Sequence, residues 1–360
     1  MAILRQPAPE FAFAMTAAPQ FDAPKFEVVG IGNAIVDIIA NSTDEFLARN
    51  KLAKGSMRLI DAAEAERLYA AMGPAIETSG GSCANTMAGI AALGGKAGYI
   101  GRVRDDQLGA VFTHDMRSGG VKFDTPAATA GPPTARSMIL VTPDAQRTMN
   151  TYLGACVELQ PADVSEDLAA AAKVLYIEGY LWDQPAAKDA CRKAIKAAHQ
   201  AGREVALTLS DSFCVERWRE EFRALVRDHV DILFANESEI MALYQARDFE
   251  TAAAHAEQDC AIAALTRSEK GSLVLRGRNN KADGKSEMHH IAAIAIGKLV
   301  DTTGAGDLYA AGFLAEYCRS GDLKRAGQLG SLCAGEVISH FGPRPQQDLK
   351  ALAKARLGTA

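Results

Sequence analysis

The stretch "LVDTTGAGDLYAAGFL", residues 299–314, decides how the chain is read. Two apolar residues lead into Asp301 and a Thr pair. Gly304, Ala305 and Gly306 follow, then a second carboxylate at Asp307 and a small, apolar run of helical character. A helix start exposes unpaired backbone N–H groups and the positive end of the helix dipole. With little or no side chain at 304–306, a bulky anion can reach those groups directly, which makes an anion hole for developing phosphate charge. Asp307 sits at the rim of that hole. The helix start is expected to favour its ionised form, ready to accept the proton of an attacking hydroxyl. A plain helix cap is the alternative for a lone Gly-Asp pair.

Outward from this point, buried strands alternate with helices. "FEVVGIGNAIVD" (26–37), "AGYIG" (97–101), "KVLYIEG" (173–179), "EVALTLS" (204–210), "VDILFAN" (230–236) and "AIAALT" (261–266) share a short, apolar character, the first of them rich in β-branched residues. Ala-rich helical segments at 84–93, 105–118, 186–201 and 236–245 separate most of them, and helices over 307–319, 322–340 and 346–356 end the chain. The pattern predicts an α/β fold with a mostly parallel central sheet. Residues 38–60 and 121–154 break the rhythm with β-type stretches such as "GSMRLI", "RSMILV" and "RTMNTYL". They are expected to form a discontinuous β-rich lid over a core of 26–37, 61–120 and 155–360. The first 25 residues, rich in Ala and Pro, read as a flexible extension, because Pro7, Pro9, Glu10 and Pro19 interrupt any apolar signal region.

Composition narrows the function. The 360 residues carry a formal net charge of -5, the wrong sign for a general nucleic-acid surface. Seven scattered cysteines without a CxxC argue against a disulfide framework or a cysteine zinc site and point to a cytoplasmic setting. No apolar run reaches the length of a membrane span. The common nucleotide motifs fail one by one. "VVGIGNAIVD" begins like a dinucleotide fingerprint, but Ile35 stands where its third glycine belongs. "ALGGKAG" has Gly95-Lys96, but Ala97 follows and Ile90 stands at the first glycine position of a P-loop. HRD, DFG, GxSxG and HExxH are absent. His289-His290 reads as surface.

With these excluded, "DTTGAGDLYAAGFL" resembles the C-terminal signature of the PfkB (ribokinase-like) family of carbohydrate and nucleoside kinases. "GGSCANTMAGIAALGGKAGYIGRVRDDQLG", 80–109, resembles its N-terminal signature. The resemblance spans roughly residues 26–345. It implies a ribokinase-like three-layer α/β/α fold with a β lid, and transfer of the ATP γ-phosphoryl to a hydroxyl. Asp307 would be the base, and Gly304, Ala305 and Gly306 the anion hole.

Other positions join this constellation. Asn33 and Asp37 offer the paired donor and acceptor that vicinal hydroxyls need, and the family places a sugar-binding Asp at the latter. Gly80, Gly81 and Asn85 match the motif that contacts the same sugar; a plain turn is the alternative for the glycines. "NESEI" puts Asn236 and Glu239 on one face of a starting helix and resembles the family's NxxE motif, which implies Mg²⁺ held through water; a capping box is the alternative. "LTRSEKGSLVL", 265–275, resembles the segment beside the ATP phosphates, with Thr266 carried over, Ser268 standing where glycine is common, and Gly271 shaping a hairpin turn. "AGEVISHFG", 334–342, matches the elements on the adenine side. Asp301, Thr303 and carbonyls near 339–342 are candidates for a monovalent cation, K⁺, as in many relatives. Arg147, from the lid, is a candidate to close on phosphate, with a solvated arginine as the alternative.

For the acceptor, "GNAIVDI", "GGSCANT" and "RTMNTYLGA" look closest to the adenosine kinase branch. Ile35 and Tyr180 or Leu181 would form an apolar, aromatic slot for a purine. A ribokinase- or fructokinase-like sugar kinase is the second expectation, and a non-catalytic ligand-binding homologue the third. Some relatives pair through the β lid, so a homodimer by that route is included.

Overall fold

The structure is a computed structural model in which residues 22–144, 146–277 and 286–358 are described. Most of the expected N-terminal extension, residues 1–21, lies outside them.

Nine strands form the main sheet, in the order Glu287–Ile291, Ser272–Arg276, Ile262–Thr266, Ile232–Asn236, Glu204–Thr208, Ala172–Glu178, Phe26–Ile31, Ala97–Ile100 and Val121–Phe123. The pairs from Ile262–Thr266 through Val121–Phe123 are parallel, and the two edge pairs at the other end are antiparallel. The parallel strands are apolar on both sides because helices cover both faces. On one face, Ser82–Ala92, Ala305–Ser320 and Leu323–Val337 pack over Val28, Tyr176 and Phe234. On the other, Pro185–Gln200, Ser212–His229 and Phe249–Asp259 pack over Val29, Leu175 and Leu233. Along the chain, strands are added on one side of Phe26–Ile31 and then, from Ala172–Glu178, on the other. Ligands bind at such a reversal, outside the carboxyl ends of the strands.

A second, five-stranded sheet has the order Met57–Leu59, Arg147–Tyr152, Ala135–Val141, Ile35–Asn41, Ala75–Gly80. Its extent differs from the expected lid segments. It begins at Ile35 rather than residue 38, and it takes in Ala75–Gly80, which lies in the expected core. That strand, "AIETSG", carries no apolar run; its place is set by antiparallel pairing with Ile35–Asn41. In the opposite sense, Val121–Phe123 belongs to the main sheet. It is too short to show a period, but Phe123 packs against Tyr99 and Phe112 with ring centroids 5.4–5.6 Å apart.

The chain crosses between the sheets at Gly32-Asn33-Ala34 and again at Gly81. Gly81 has φ +93°, and a Cβ there would lie 2.3 Å from the Asn33 carbonyl. Only glycine lets the two crossings touch. All seven cysteines are buried and free. Among the described residues, no helix is long and apolar enough to cross a membrane.

Candidate active site

The helix Ala305–Ser320 starts at Gly304, whose φ of +80° is left-handed. A Cβ on Gly304 would come within 2.8 Å of Pro343, whereas one on Gly306 would meet nothing within 4 Å. The two glycines therefore do different work. Gly304 makes the turn and the contact with the 339–344 loop; Gly306 leaves open space over the helix start. Gly304→Ala is expected to cost about 1–2 kcal/mol from the left-handed backbone alone, read as a lower Tm. Gly306→Ala should leave Tm unchanged and raise the KM for the phosphoryl donor. If the two substitutions shift Tm equally, this division is wrong.

Asp307 is held from two sides. Ser82 Oγ donates to its Oδ1 (2.6 Å) and Asn85 Nδ2 to its Oδ2 (3.0 Å). Burial pushes its pKa up, against the two hydrogen bonds and the charge of Arg344. The expectation that the helix start alone would favour the ionised form is thus corrected, because desolvation outweighs the groups that favour the charge.

Asp307 borders a cavity of about 220 Å³ shared with Ser82, Gly306, Thr208 and Glu239. Asn236 and Thr266 line both this cavity and a second one of about 730 Å³, which Ser212, Glu237, Met241, Arg267 and Ser268 also line. The larger cavity, a groove, and the smaller one adjoin at Asn236 and Thr266, and the smaller one reaches the partly buried Asp307. Ser268 has φ +51° in a short 3₁₀ turn, and Gly271 has φ +84° with its Cβ position blocked by the Ile291 carbonyl at 2.0 Å. Gly271 therefore shapes the hairpin and is not a lining residue of the groove.

Asn236 and Glu239 form a full capping box. The Asn236 side chain accepts from Glu239 N (2.9 Å), while Glu239 accepts from Asn236 N (2.9 Å) and Nδ2 (2.5 Å). This agrees with the capping alternative, yet Glu239 is buried and faces the smaller cavity. A cap and a carboxylate that lines the cavity coexist here. The residues fit Mg²⁺ bound through water, since one buried carboxylate beside a phosphate-sized cavity is what a largely hydrated ion needs.

Asp37 lies against the start of the 80–85 segment. Its carboxylate rests against Gly80, where a Cβ would sit 2.4 Å from Oδ2. Burial raises its pKa to about 7, with Arg344 and then Arg147 opposing and Asp307 adding to the rise. Asn33 is oriented by Glu178, whose Oε1 accepts from Asn33 Nδ2 (2.8 Å) and whose Oε2 accepts from Cys83 N (3.0 Å). Burial likewise lifts Glu178 and Glu239 to about 7. An acid whose folded pKa is raised contributes stability that is complete below its unfolded pKa and lost as pH rises through the folded value. The free protein is therefore expected to lose stability between about pH 4 and pH 7 on account of Asp37, Glu178 and Glu239. The Tm of Glu178→Gln, compared with wild type at pH 5 and pH 8, checks this: the gap should favour the variant at pH 8.

Two site residues are absent from the sequence reading. Glu178 ends the strand Ala172–Glu178, and nothing in "YIEG" marks its carboxylate as turned toward Asn33. Arg344 donates to Ser79 O (3.2 and 2.9 Å), Ser79 Oγ (2.9 Å) and Ala84 O (3.1 Å). It binds the segments that carry Gly80 and Asn85, and its charge acts on both Asp37 and Asp307. "GPRPQ" reads as a loop, and only contacts some 260 residues apart in sequence reveal its place.

Two expected residues lie away from the two cavities, as Asn33, Ile35 and Asp37 also do. Tyr180 is not among the residues lining either cavity; its N donates to Ser210 Oγ (3.3 Å) and its OH to Ser210 O (3.4 Å). Leu181 is in the core. Ile35 stays partly exposed and pairs with Gly80 and Ala135 in the second sheet, next to Asp37's strand positions. Arg147 and Asp301 form an ion pair, treated below.

Residues 61–349 match the pfkB family of carbohydrate kinases. The chain belongs to this family. PfkB kinases are phosphotransferases that act on sugar or nucleoside hydroxyls, with ATP as the donor and typically Mg²⁺. The chain is similar to an adenosine kinase from Sinorhizobium meliloti of known structure, with 55% identity, a TM-score of 0.82, and coverage of 92% of this chain and 99% of that one. It is also similar to a probable sugar kinase from Rhizobium etli CFN 42, with 54% identity, a TM-score of 0.83, and coverage of 92% and 98%. Among curated proteins, a 5-dehydro-2-deoxygluconokinase from Lacticaseibacillus casei is 29% identical over 327 residues, 88% of this chain and 90% of its own length. The ribokinase-like fold of this PfkB kinase, with its mostly parallel sheet, follows from the same likeness.

Proposed function

We propose that this PfkB kinase phosphorylates the 5′-hydroxyl of a nucleoside, adenosine being the acceptor, to give AMP. The observation that carries the reading is the pair of cavities that adjoin at Asn236 and Thr266 and reach Asp307, with Asp37 against Gly80 at the start of the segment whose Ser82 and Asn85 hold Asp307. ATP lies in the groove with its γ-phosphate toward Gly306. The acceptor's ribose is bound by Asp37, Asn33 and the Gly80-Gly81 backbone, and Ile35 packs on the base. Asp307 takes the hydroxyl proton, and the oxygen attacks phosphorus in line while the N–H groups of 304–306 meet the growing charge. Mg²⁺, held through water by Glu239, neutralises charge on the phosphates when bound. The second sheet acts as the lid that excludes water. The reading places the enzyme in the cytoplasm, in purine salvage. Met57, Leu59 and Ile76, exposed on the second sheet, support pairing of two copies through that sheet.

The preference for adenosine rests on the likeness to the Sinorhizobium protein and on Ile35, which stands in the strand that carries Asp37. A ribokinase- or fructokinase-like sugar kinase is the second reading. It is favoured by the Rhizobium and Lacticaseibacillus relatives, and it uses the same Asp37 and Asn85. The test measures ADP release with adenosine, other nucleosides, ribose, fructose and 5-dehydro-2-deoxygluconate side by side. A strong preference for a free sugar overturns the nucleoside reading and leaves the kinase standing.

A further inference from the structure

The DTTGAGD loop is met by a cation from the other sheet. Arg147 opens the strand Arg147–Tyr152, and its Nη1 lies 2.9 Å from Asp301 Oδ2. The two side chains are 7% and 8% exposed, so this is a buried ion pair between the second sheet and the anion-hole loop. The guanidinium makes no directed hydrogen bond among the described residues; it faces Asp301 by charge and lies over the Phe341 ring at 5.4 Å.

Asp301 in turn is saturated with donors. Its Oδ1 accepts from Thr303 N (3.1 Å) and Thr303 Oγ1 (2.8 Å), and its Oδ2 from Gly342 N (3.3 Å). A monovalent cation needs oxygens that converge on it. Here the N–H and hydroxyl of Thr303 and an N–H of the 339–342 loop donate to the carboxylate, and a guanidinium lies beside it by charge. This donor set does not fit a monovalent cation at Asp301, against the K⁺ that the resemblance implies. The pair also ties together three parts of the site: Thr303 leads into Gly304, Gly342 precedes the Pro343 on which Gly304 packs, and Arg147 brings the second sheet.

We propose that Arg147 is the built-in cation of Asp301, so that closure of the second sheet, and not a dissolved monovalent ion, completes the anion-hole loop. Arg147 is then a positioning residue acting through Asp301. The inference rests on the kinase reading, and its test separates the two. Turnover of the full chain is measured with its best acceptor as choline is replaced by K⁺ at constant ionic strength, alongside Tm of the free protein in the same buffers. Both are expected to be flat in K⁺. Arg147→Gln and Asp301→Asn are each expected to lower kcat by about tenfold or more, the scale set by misplacing a reacting group. The double variant should fall no further than the worse single, because both remove one contact. Saturable activation or a raised Tm in K⁺, or losses that multiply in variants shown by circular dichroism to be folded, overturn the proposal and leave phosphoryl transfer intact. Absence of transfer to every acceptor overturns the kinase reading instead, and the Tm comparison still decides the cation question.

Discussion

Asp307→Asn is expected to lower kcat by about 10²–10⁴-fold, the range in which a positioned general base acts, while the protein stays folded and its Tm holds or rises. The two halves of this expectation have separate causes. Ser82 and Asn85 grip the side chain at 2.6 and 3.0 Å, so an amide of the same shape remains in place but cannot take a proton. Burial works against the charge of Asp307 in the folded protein, so removing that charge removes a desolvation cost. A KM for ATP near the wild-type value is expected as well, because the groove residues Asn236, Thr266 and Ser268 are untouched. ADP release at saturating substrate together with a melting curve checks all three. A kcat within tenfold of wild type would eliminate Asp307 as the base.

Arg344→Met carries the second large effect, and it falls on stability and activity together. Arg344 is a partly buried cation whose charge opposes the rise in pKa of both acids of the site, and it holds the backbone carbonyls of Ser79 and Ala84. Its loss leaves Asp37 and Asp307 less compensated and two carbonyls without their donor. Losing a charged donor to such carbonyls costs about 1.5–3 kcal/mol per hydrogen bond. Without the cation, the pKa values of both acids rise further, so the acid limb of kcat/KM is expected to move to higher pH. The stability loss has the opposite trend: it should be largest near pH 8, where the acids are charged, and shrink toward pH 5, where Asp37 takes up its proton. Arg344→Lys keeps the charge but not the planar fork that reaches Ser79 and Ala84, and should fall between. Equal Tm losses for the methionine variant at pH 5 and pH 8 would show that packing, not charge, is what Arg344 contributes.

Much of the fold was legible because the local signals were strong. Six apolar stretches became six strands of the main sheet, and the Ala-rich segments between them became helices, since a strand buried on both faces has to be apolar throughout. The 301–307 loop was equally legible. A run of small residues at a helix start has few uses other than close approach of a ligand, and Gly306 has the open space that reading requires. The capping box at Asn236 and Glu239 was weighed as the alternative to a metal role, and the structure contains it beside the cavity.

The remainder needed the tertiary structure, for reasons that differ by residue. Ala75–Gly80 and Val121–Phe123 are too short and too mixed to show a period; partner strands, not their own composition, assign them to sheets. Glu178 and Arg344 are ordinary residues in sequence whose roles come from contacts with residues 33 and 83, and 79 and 84, across the chain. The pKa of Asp307 was read from a local cue, the helix start, while burial by distant segments decides its direction. Asp301 shows the difference most directly. By itself the sequence determined that a carboxylate precedes the glycine turn at 304–306; only the packing of the second sheet decided that an arginine, 154 residues earlier by the numbering of Arg147 and Asp301, meets it. Backbone geometry and apolar periodicity are local and can be read along a chain. Charge compensation in a buried site depends on what the fold brings within a few ångströms, and that is a property of the folded molecule alone.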